Sequence, residues 1–442
     1  MQLPEEFKIR MKNILGAEYD KFVMSLVEEP ACSGMRINLL KRGARAAVES
    51  CVGHPEQVPW CKNGYYAEKS VLSGKHPYHM CGLVYFQEPS AMSAAEALDI
   101  KPGDFVLDLC AAPGGKATQA AEKLQGKGLL VANEIIPKRA KILAENIGRM
   151  GITNAVVTNE NPEKLAEKYA DFFDKIIVDA PCSGEGMFRK EPQAVTEWSA
   201  AHTESCAARQ KKILRSAFKM LKKGGKLVYS TCTFAPCENE GVAGWVLDTH
   251  PGIEPVNITL PGMTDANAAW AEVNHDLSGA KRIFPHNARG EGCFNALFQK
   301  NYGSVKKYEK NYKSTNKAAF ELFEKQYLNT HFSGSFADFG DKLYLLPHNL
   351  DIDKIKTELA GLFLGTCKKG RFEPSHELCL ALTAEDFKNT QEIAEPAKYY
   401  GGETFPSDKK GWTAVLYGGF PLGWGKASDG ILKNHFPKYL RF

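Results

Sequence analysis

Two thiols and an acid stand directly behind apolar runs in this sequence. Cys182 lies in Asp179-Ala-Pro-Cys-Ser-Gly-Glu-Gly186 after Lys175–Val178, and Cys232 lies in Ser230-Thr-Cys-Thr233 after Lys226–Tyr229. A lone cysteine after a strand is usually a small buried hydrophobe. Two of them beside Asp179 suit attack on an electron-poor ring. Position 5 of a cytosine is a poor nucleophile until something adds at position 6. A thiolate adding there makes position 5 enamine-like and able to take a methyl group from a sulfonium. A carboxyl group that hydrogen-bonds or protonates ring N3 eases the addition, and Asp179 is close enough in sequence to serve. A base must then remove the proton at position 5 before the thiol leaves. Either thiol fits the attacking part. The cofactor implied is S-adenosylmethionine (SAM).

These residues need a scaffold that brings them together, and the chain around them has the βα alternation of a doubly wound sheet. Strands are predicted at 105–109, 128–133, 155–158, 175–178, 226–230 and 293–300, with helices at 116–125, 137–150 and 203–221, the last stopped by Lys-Lys-Gly-Gly. In open α/β sheets chemistry gathers at the carboxyl ends of the strands. The first strand runs into Cys110-Ala111-Ala112-Pro113-Gly114-Gly115-Lys116, a tight turn presenting backbone N–H groups and a helix N-terminus to a ligand. It is neither G-x-G-x-x-G nor the longer phosphate-binding loop. Glu134, ending the second strand, is placed to accept hydrogen bonds from a ribose diol, which fits NAD as well as SAM.

A chain of 442 residues implies two to four domains. Residues 1–72 read as a small helical domain, with Phe7, Met11, Ile14 and Leu15 and then Phe22, Val23, Leu26 and Val27 at helical spacing. Gly34–Arg42 adds charge beside apolar positions, as a solvated helix face or a grip on a phosphate backbone. Residues 73–301 form the α/β unit. The Lys/Tyr tract at 301–317 is either a solvated linker or an electrostatic footprint for nucleic acid. Residues 302–370 are a linker and small mixed unit, and 371–442 a small β-rich domain.

Hydrophobic residues at 43% and charged residues at 24% are those of a soluble globular protein, and no apolar run reaches membrane-spanning length. The N-terminus lacks the layout of a secretory signal. Twelve cysteines in no compact pattern fit a reducing cytosol, so the expected location is cytoplasmic. A net charge of +4 is modest, and any nucleic-acid signal has to be local. Arg189 and Lys190 would lie near substrate phosphates if the crevice binds RNA. His76, His79 and Cys81 have loose metal-ligand spacing without a second ligand pair, so no metal is expected. A Cys232–Cys237 redox pair is disfavoured in a reducing compartment. Monomer is the default, with no obligate protein partner.

The glycine loop, the Asp179–Gly186 stretch and Ser230–Thr233 together resemble the RNA 5-methylcytosine methyltransferases, the family of nucleolar proteins and bacterial Sun-like enzymes. Glu88-Pro89-Ser90-Ala91-Met92, Arg282–His286 and Glu291-Gly292 are similar to further segments of that family, and the likeness covers nearly the whole chain. It implies a Rossmann-like SAM-dependent core, an N-terminal RNA-binding domain and an extension ending in a PUA-like RNA-binding domain. The implied activity is methylation of cytosine-5 in small-subunit (16S) ribosomal RNA, free or in the subunit, through a covalent cysteine–C6 adduct. Residue by residue, the resemblance implies Cys232 as nucleophile and Cys182 as the thiol assisting release. Cys110–Lys116 and Glu134 would hold SAM, and Asp179 would bridge cofactor and base. The family commonly carries an acid where Asn161 stands. The amide carbonyl can still accept from an adenine amino group, and Glu160 is the neighbouring substitute.

Rival readings are a catalytically silent ribosome-assembly factor and a cytosine-5 methyltransferase on another RNA such as tRNA. A methyltransferase on exocyclic nitrogen would need an Asn/Asp-Pro-Pro-aromatic motif where Asp-Ala-Pro-Cys stands. A DNA cytosine methyltransferase would use Cys182 as nucleophile, and an NAD-linked dehydrogenase would need the missing dinucleotide fingerprint.

Overall fold

A computed structural model describes residues 2–67 and 72–442. Two amphipathic helices, Glu5–Leu15 and Tyr19–Val27, open the chain. Their buried Phe7, Met11, Phe22 and Leu26 pack on Phe188, Trp198, Phe234 and Phe284, which belong to the loops beyond the two thiols and to the late sheet. A three-stranded antiparallel sheet follows, in the order β2-β1-β3: β1 is Gly34–Ile37, β2 Gly64–Tyr66 and β3 Val84–Phe86. Gly34–Ile37 is therefore a strand and not part of a helix face. Four residues buried on both sides carry no periodicity from which a strand could be read. Arg36, within it, is fully buried.

The central sheet contains β4 Phe105–Asp108, β5 Leu129–Asn133, β6 Ala155–Thr158, β7 Phe173–Asp179, β8 Leu221–Thr231, β9 Ile253–Val256, β10 Thr264–Asp265, β11 Lys281–Ile283 and β12 Cys293–Lys300. A tenth strand, Thr357–Ala360, comes from the C-terminal extension and pairs antiparallel with β6. The order is β10-β11-β12-β8-β7-β4-β5-β6 and then that strand, with β9 also on β12. Strands β4 to β8 are parallel neighbours and β12 runs antiparallel beside β8. Both β5 and β6 are buried throughout, as expected of parallel strands covered by helices on both faces. The sheet order reverses between β4 and β7, the place where such sheets open a crevice.

The long helix spans Ala200–Met220. It stops before Lys222-Lys223-Gly224-Gly225, which is not a helix terminator but an irregular start to β8. Leu221 pairs with Phe173 and Lys226 with Lys175, and Gly224 takes φ +80° in the segment between.

The extension holds a four-stranded antiparallel sheet (Ser335–Phe339, Lys342–Leu346, Leu362–Lys368, Arg371–Pro374) and a five-stranded sheet built on Gly411–Tyr417, Phe420–Ser428 and Ile431–Asn434. Strand pairing crosses two of the divisions drawn from composition: β3 pairs with β1 beyond residue 72, and Arg371–Pro374 pairs with Leu362–Lys368 across 370. In the Lys/Tyr tract, Tyr308 donates to Ala170 O of the core (2.9 Å), while Tyr312 Oη accepts from Ile352 N within the extension (3.1 Å), so Tyr308 straps the tract to the core. No helix among the described residues is long and apolar enough to cross a membrane.

One buried guanidinium fastens the small N-terminal sheet to the core. Arg36 donates to Gln87 Oε1 (2.7 Å), Gly115 O (3.0 Å) and Thr118 Oγ1 (2.6 Å), and pairs with Glu122 at 3.3 Å. Burial raises the Glu122 carboxyl to about 7 even with Arg36 opposite. Removing one partner of such a pair strands the other. Arg36→Met should lower unfolding stability by about 3 kcal/mol, measured by denaturant titration. Adding Glu122→Gln should recover part of the loss, and an undiminished loss in the double variant would contradict the pairing.

Candidate active site

The carboxyl ends of β4, β7 and β8 open into a cleft of about 790 Å³. Cys110, Ala112, Lys116, Glu134, Asn161, Asp179, Cys182 and Cys232 all line it. Ala111, Pro113, Gly114 and Gly115 complete the turn behind that lining. Ala111 N–H donates to Asn133 O (2.8 Å), Asn146 Nδ2 to Pro113 O (2.8 Å) and Arg139 to Ala112 O (2.8 Å). Gly114 sits at φ +119°, a backbone open to glycine but strained for other residues, and caps the helix Gly115–Leu124.

Lys116 lies 2.7 Å from Asp179 Oδ2. Burial alone would lower the ammonium, but the carboxylate beside it raises it overall, so the lysine stays charged. Glu134 Oε1 accepts Ile136 N–H (2.9 Å), and its other oxygen is 3.2 Å from the half-exposed Arg139 side chain, which also donates to Ala112 O. Asn161 Oδ1 already accepts Glu163 N–H (2.8 Å) as a helix N-cap, leaving one lone pair for a ligand. Glu160 does not line the cleft. Its carboxylate is held by Lys164 (2.6 Å) and Lys356 N–H (2.7 Å).

The two sulfurs are 3.3 Å apart. Neighbouring parallel strands bring them close, with Asp179 opposite Ser230. The loops beyond are then stitched together. Gly186 N–H donates to Cys232 O (2.8 Å), and a Cβ at Gly186 would sit 2.8 Å from that oxygen and 2.9 Å from Glu291 O, so only glycine fits. Ser183 Oγ lies 2.8 Å from Thr233 Oγ1 and donates to Glu238 Oε1 (2.5 Å). Glu238 Oε2 accepts Ser183 N–H (3.1 Å) and Gln210 Nε2 (2.7 Å). Glu185 accepts Trp198 Nε1 (2.7 Å) and Phe234 N–H (3.0 Å) and pairs with Arg10, which locks the first helix to both loops. The hydrogen bond to Cys232 and burial push the Cys182 thiol well above the usual range, so Cys182 keeps its proton. Cys237 turns instead to Thr203 Oγ1 (3.5 Å).

Arg189 is not a free cation. It is almost fully buried, with Glu291 (2.7 Å), Ser25 O (2.8 Å) and Gly290 O (2.7 Å) as acceptors, and Lys190 lies 3.6 Å from Glu291. Glu291 in turn accepts Cys32 N–H (2.6 Å). Arg189 is a fastener between the N-terminal unit and the late hairpin. Besides Arg139 beside Glu134, the exposed cations that line the cleft are Arg209 and Lys212, spaced i, i+3 on the long helix. Sequence reading identified that helix but not which of its faces meets the cleft. His79 stacks on Phe86 at 5.2 Å, and His76 Nδ1 accepts Tyr78 N–H (3.1 Å).

Four family models match consecutive parts of the chain. They are the N-terminal domain of 16S rRNA methyltransferase RsmF at 3–89 and 16S rRNA methyltransferase RsmB/F at 95–299, then the RsmF first C-terminal domain at 322–382 and the RsmF PUA domain at 391–442. Ribosomal RNA small subunit methyltransferase F of Shewanella piezotolerans is 32% identical over 94% of this chain and 92% of its own length. Its counterpart in Escherichia coli is 30% identical over 99% and 96%. Among solved structures, a methyltransferase homolog from Pyrococcus horikoshii is 29% identical with a TM-score of 0.60, covering 67% of this chain and 95% of its own. NSun6 from the same organism, solved with SFG, shares the fold at 23% identity and TM-score 0.59, covering 68% of this chain and 99% of its own.

Asp108, missed as a site residue although it ends an apolar strand, lies under the glycine loop. It is fully buried, and neither carboxyl oxygen closes a well-formed hydrogen bond. Burial pushes it up to about 8, reinforced by Asp179 and opposed by Lys116 and the Cys110 N–H. The folded chain therefore keeps a proton that the unfolded chain loses near pH 4, and stability contributed by protonated Asp108 falls as pH rises from about 4 to about 8. Asp108→Asn removes that loss. In ligand-free protein its stability relative to wild type should rise by on the order of 1 kcal/mol per pH unit across this window. Denaturant unfolding at several pH values measures the gap, and a gap independent of pH would contradict a buried neutral acid.

Proposed function

The chain belongs to the family of ribosomal RNA small subunit methyltransferase F, and we propose that it methylates carbon 5 of a cytidine in 16S ribosomal RNA through a covalent Cys232–C6 adduct. The observation that carries this reading is the pair of sulfurs 3.3 Å apart in the cleft that also holds the glycine loop and Glu134.

SAM is the cofactor this reading requires, and the residues fit it. Unpartnered Asp108 and the turn Cys110–Lys116 suit the amino-acid end of such a ligand. Glu134 suits a ribose diol, and Asn161 with Pro162 the edge of a base. Bound there, SAM supplies an electrophilic methyl group. The target base enters unstacked, because a thiol cannot reach position 6 inside a helical stack, and Arg209 and Lys212 stand at the rim for the phosphates beside it.

The thiol pair has an asymmetry that divides the labour. Cys182, hydrogen-bonded to Cys232 and pushed up by burial, is the sulfur that holds its proton, and the attack is assigned to Cys232. The Cys232 sulfur gives an electron pair to C6, a C–S bond forms, and the displaced π electrons make C5 nucleophilic. Asp179, held by Lys116, is the carboxyl group available to share the N3 proton. Once Cys232 is a thioether, the hydrogen bond that chiefly raised Cys182 is gone. Cys182 then releases its proton to solvent and takes the proton from C5. The electrons of that C–H bond restore the C5–C6 double bond, and Cys232 leaves as a thiolate. The reducing cytoplasm, where ribosomal RNA is found, keeps both thiols competent; all twelve cysteines are free.

Methyl transfer from labelled SAM to naked 16S RNA and to small subunits tests this. Cys232→Ala should abolish label in 5-methylcytidine with SAM binding retained, and Cys182→Ala should accumulate a protein–RNA adduct stable to denaturation. Turnover by Cys232→Ala near the wild-type rate would contradict the assignment. Binding of RNA and SAM with no methyl transfer by the wild type would favour an assembly factor instead.

A further inference from the structure

The last strand of the central sheet does not come from the core. Thr357–Ala360 of the extension pairs antiparallel with β6, the strand that leads into Asn159-Glu160-Asn161. Lys356, the residue ahead of it, meets that loop with three of its atoms. Its C=O accepts Asn159 N–H (2.8 Å), its N–H donates to Glu160 Oε1 (2.7 Å), and its ammonium donates to Asn159 Oδ1. Glu160 stays ionised in this setting. Burial raises its carboxyl, but Lys164 and the Lys356 N–H lower it overall.

Asn159 is buried and passes the contact on. Its Nδ2 donates to Glu134 O (2.7 Å) and Ile135 O (2.9 Å), so one end of the carboxamide faces the extension and the other the segment that carries Glu134. Glu134, Ile135, Ile136 and Asn161 line the cleft, whereas Asn159, Glu160 and Lys356 stand behind that lining. On the core side the loop is held by Asn133, whose Oδ1 accepts Glu160 N–H (3.0 Å) and whose Nδ2 donates to Glu160 O (3.0 Å). Groups that touch a ligand keep a productive geometry when supporting bonds of this kind lock them. Here one supporting residue lies 197 positions further along the chain than the asparagine it holds.

We propose that Lys356 is a positioning residue for the cofactor, acting through Asn159 on Glu134 and through Glu160 on Asn161, so that the C-terminal extension is part of the SAM site. This rests on the reading that the cleft takes SAM. Lys356 stands outside the cleft lining and far in sequence from the thiols. Its contribution is therefore to SAM affinity, with the methyl-transfer step and the grip on RNA left alone. Coupling between two places in a protein is reciprocal, so bound SAM in turn steadies the strand that follows Lys356.

Isothermal titration calorimetry of the full chain with SAM, without RNA, is the test. Lys356→Met keeps the backbone bonds, loses the clamp on Asn159, and should raise the Kd for SAM about threefold. Lys356→Arg still donates to Asn159 and should restore most of the affinity. Asn159→Asp keeps an acceptor for Lys356 but sets a carboxylate against two carbonyls, and should raise the Kd about tenfold or more. Lys356 is exposed, so its replacement leaves no buried hole and decides the matter even where Asn159→Asp fails to fold. In methyl transfer by Lys356→Met, KM for SAM should rise while kcat and KM for RNA stay at wild-type values. In the wild type, SAM should slow amide exchange across residues 355–360. An unchanged Kd in Lys356→Met, or exchange at 355–360 indifferent to SAM, would overturn the positioning role alone. Equal losses of SAM and RNA affinity in Lys356→Met would show a general loosening and overturn it too. No SAM binding by the wild type would instead overturn the cofactor reading itself.

Discussion

The cleft depends on one strand register. Asp179 of β7 faces Ser230 of β8 in a parallel pair, so a cysteine three residues on from one and two on from the other reach the same point. A one-residue slip would turn every β8 side chain to the opposite face of the sheet and separate the thiols. The register is secured beyond the strands, where the sequence has no regular structure to offer. Ser183, Thr233 and Glu238 bind the two loops side to side, and Gly186 lets the backbone of one approach the carbonyl of Cys232.

Buried acids divide by partner into structural and chemical groups. Glu240 faces Arg282, Glu291 faces Arg189 and Glu185 faces Arg10, each with further donors. Breaking any of these leaves a buried charge unpaired, which is costly. Glu238 has hydroxyl and amide donors but no cation and is raised to about 7 by burial. Asp108 alone among these acids has no well-formed partner. A carboxyl kept uncompensated at the floor of a cleft destabilises the empty protein and is relieved by a cationic ligand.

The core strands were legible because parallel strands buried on both faces read as plain apolar runs, as in Phe105–Asp108 and Phe173–Asp179. The glycine turn and the acids at strand ends followed from that. Other features depend on contacts between residues far apart in the chain, which no local pattern encodes. Arg36 looks like a surface charge in sequence and is a buried tether to Glu122. Arg189 sits beside the thiol motif and is consumed by Glu291, while Arg209 and Lys212 were hidden in an ordinary helix. Lys222–Gly225 has the composition of a helix stop, yet it opens β8 because Leu221 is already paired with Phe173. Which thiol attacks was open in the sequence. The sulfurs meet at 3.3 Å only because two loops fifty residues apart are stitched together, and the division of labour between them is the reading proposed above.

The most direct measurement is to identify the attacking sulfur. RNA carrying 5-azacytidine at the target has no C5 proton to lose, so the C6 adduct is trapped in the wild-type enzyme in the presence of SAM. Digestion and peptide mass spectrometry then locate the modified residue. The expected result is a nucleotide on the peptide containing Cys232, with Cys182 unmodified. A nucleotide on Cys182, with Cys232 free, would contradict the division of labour on which this account rests.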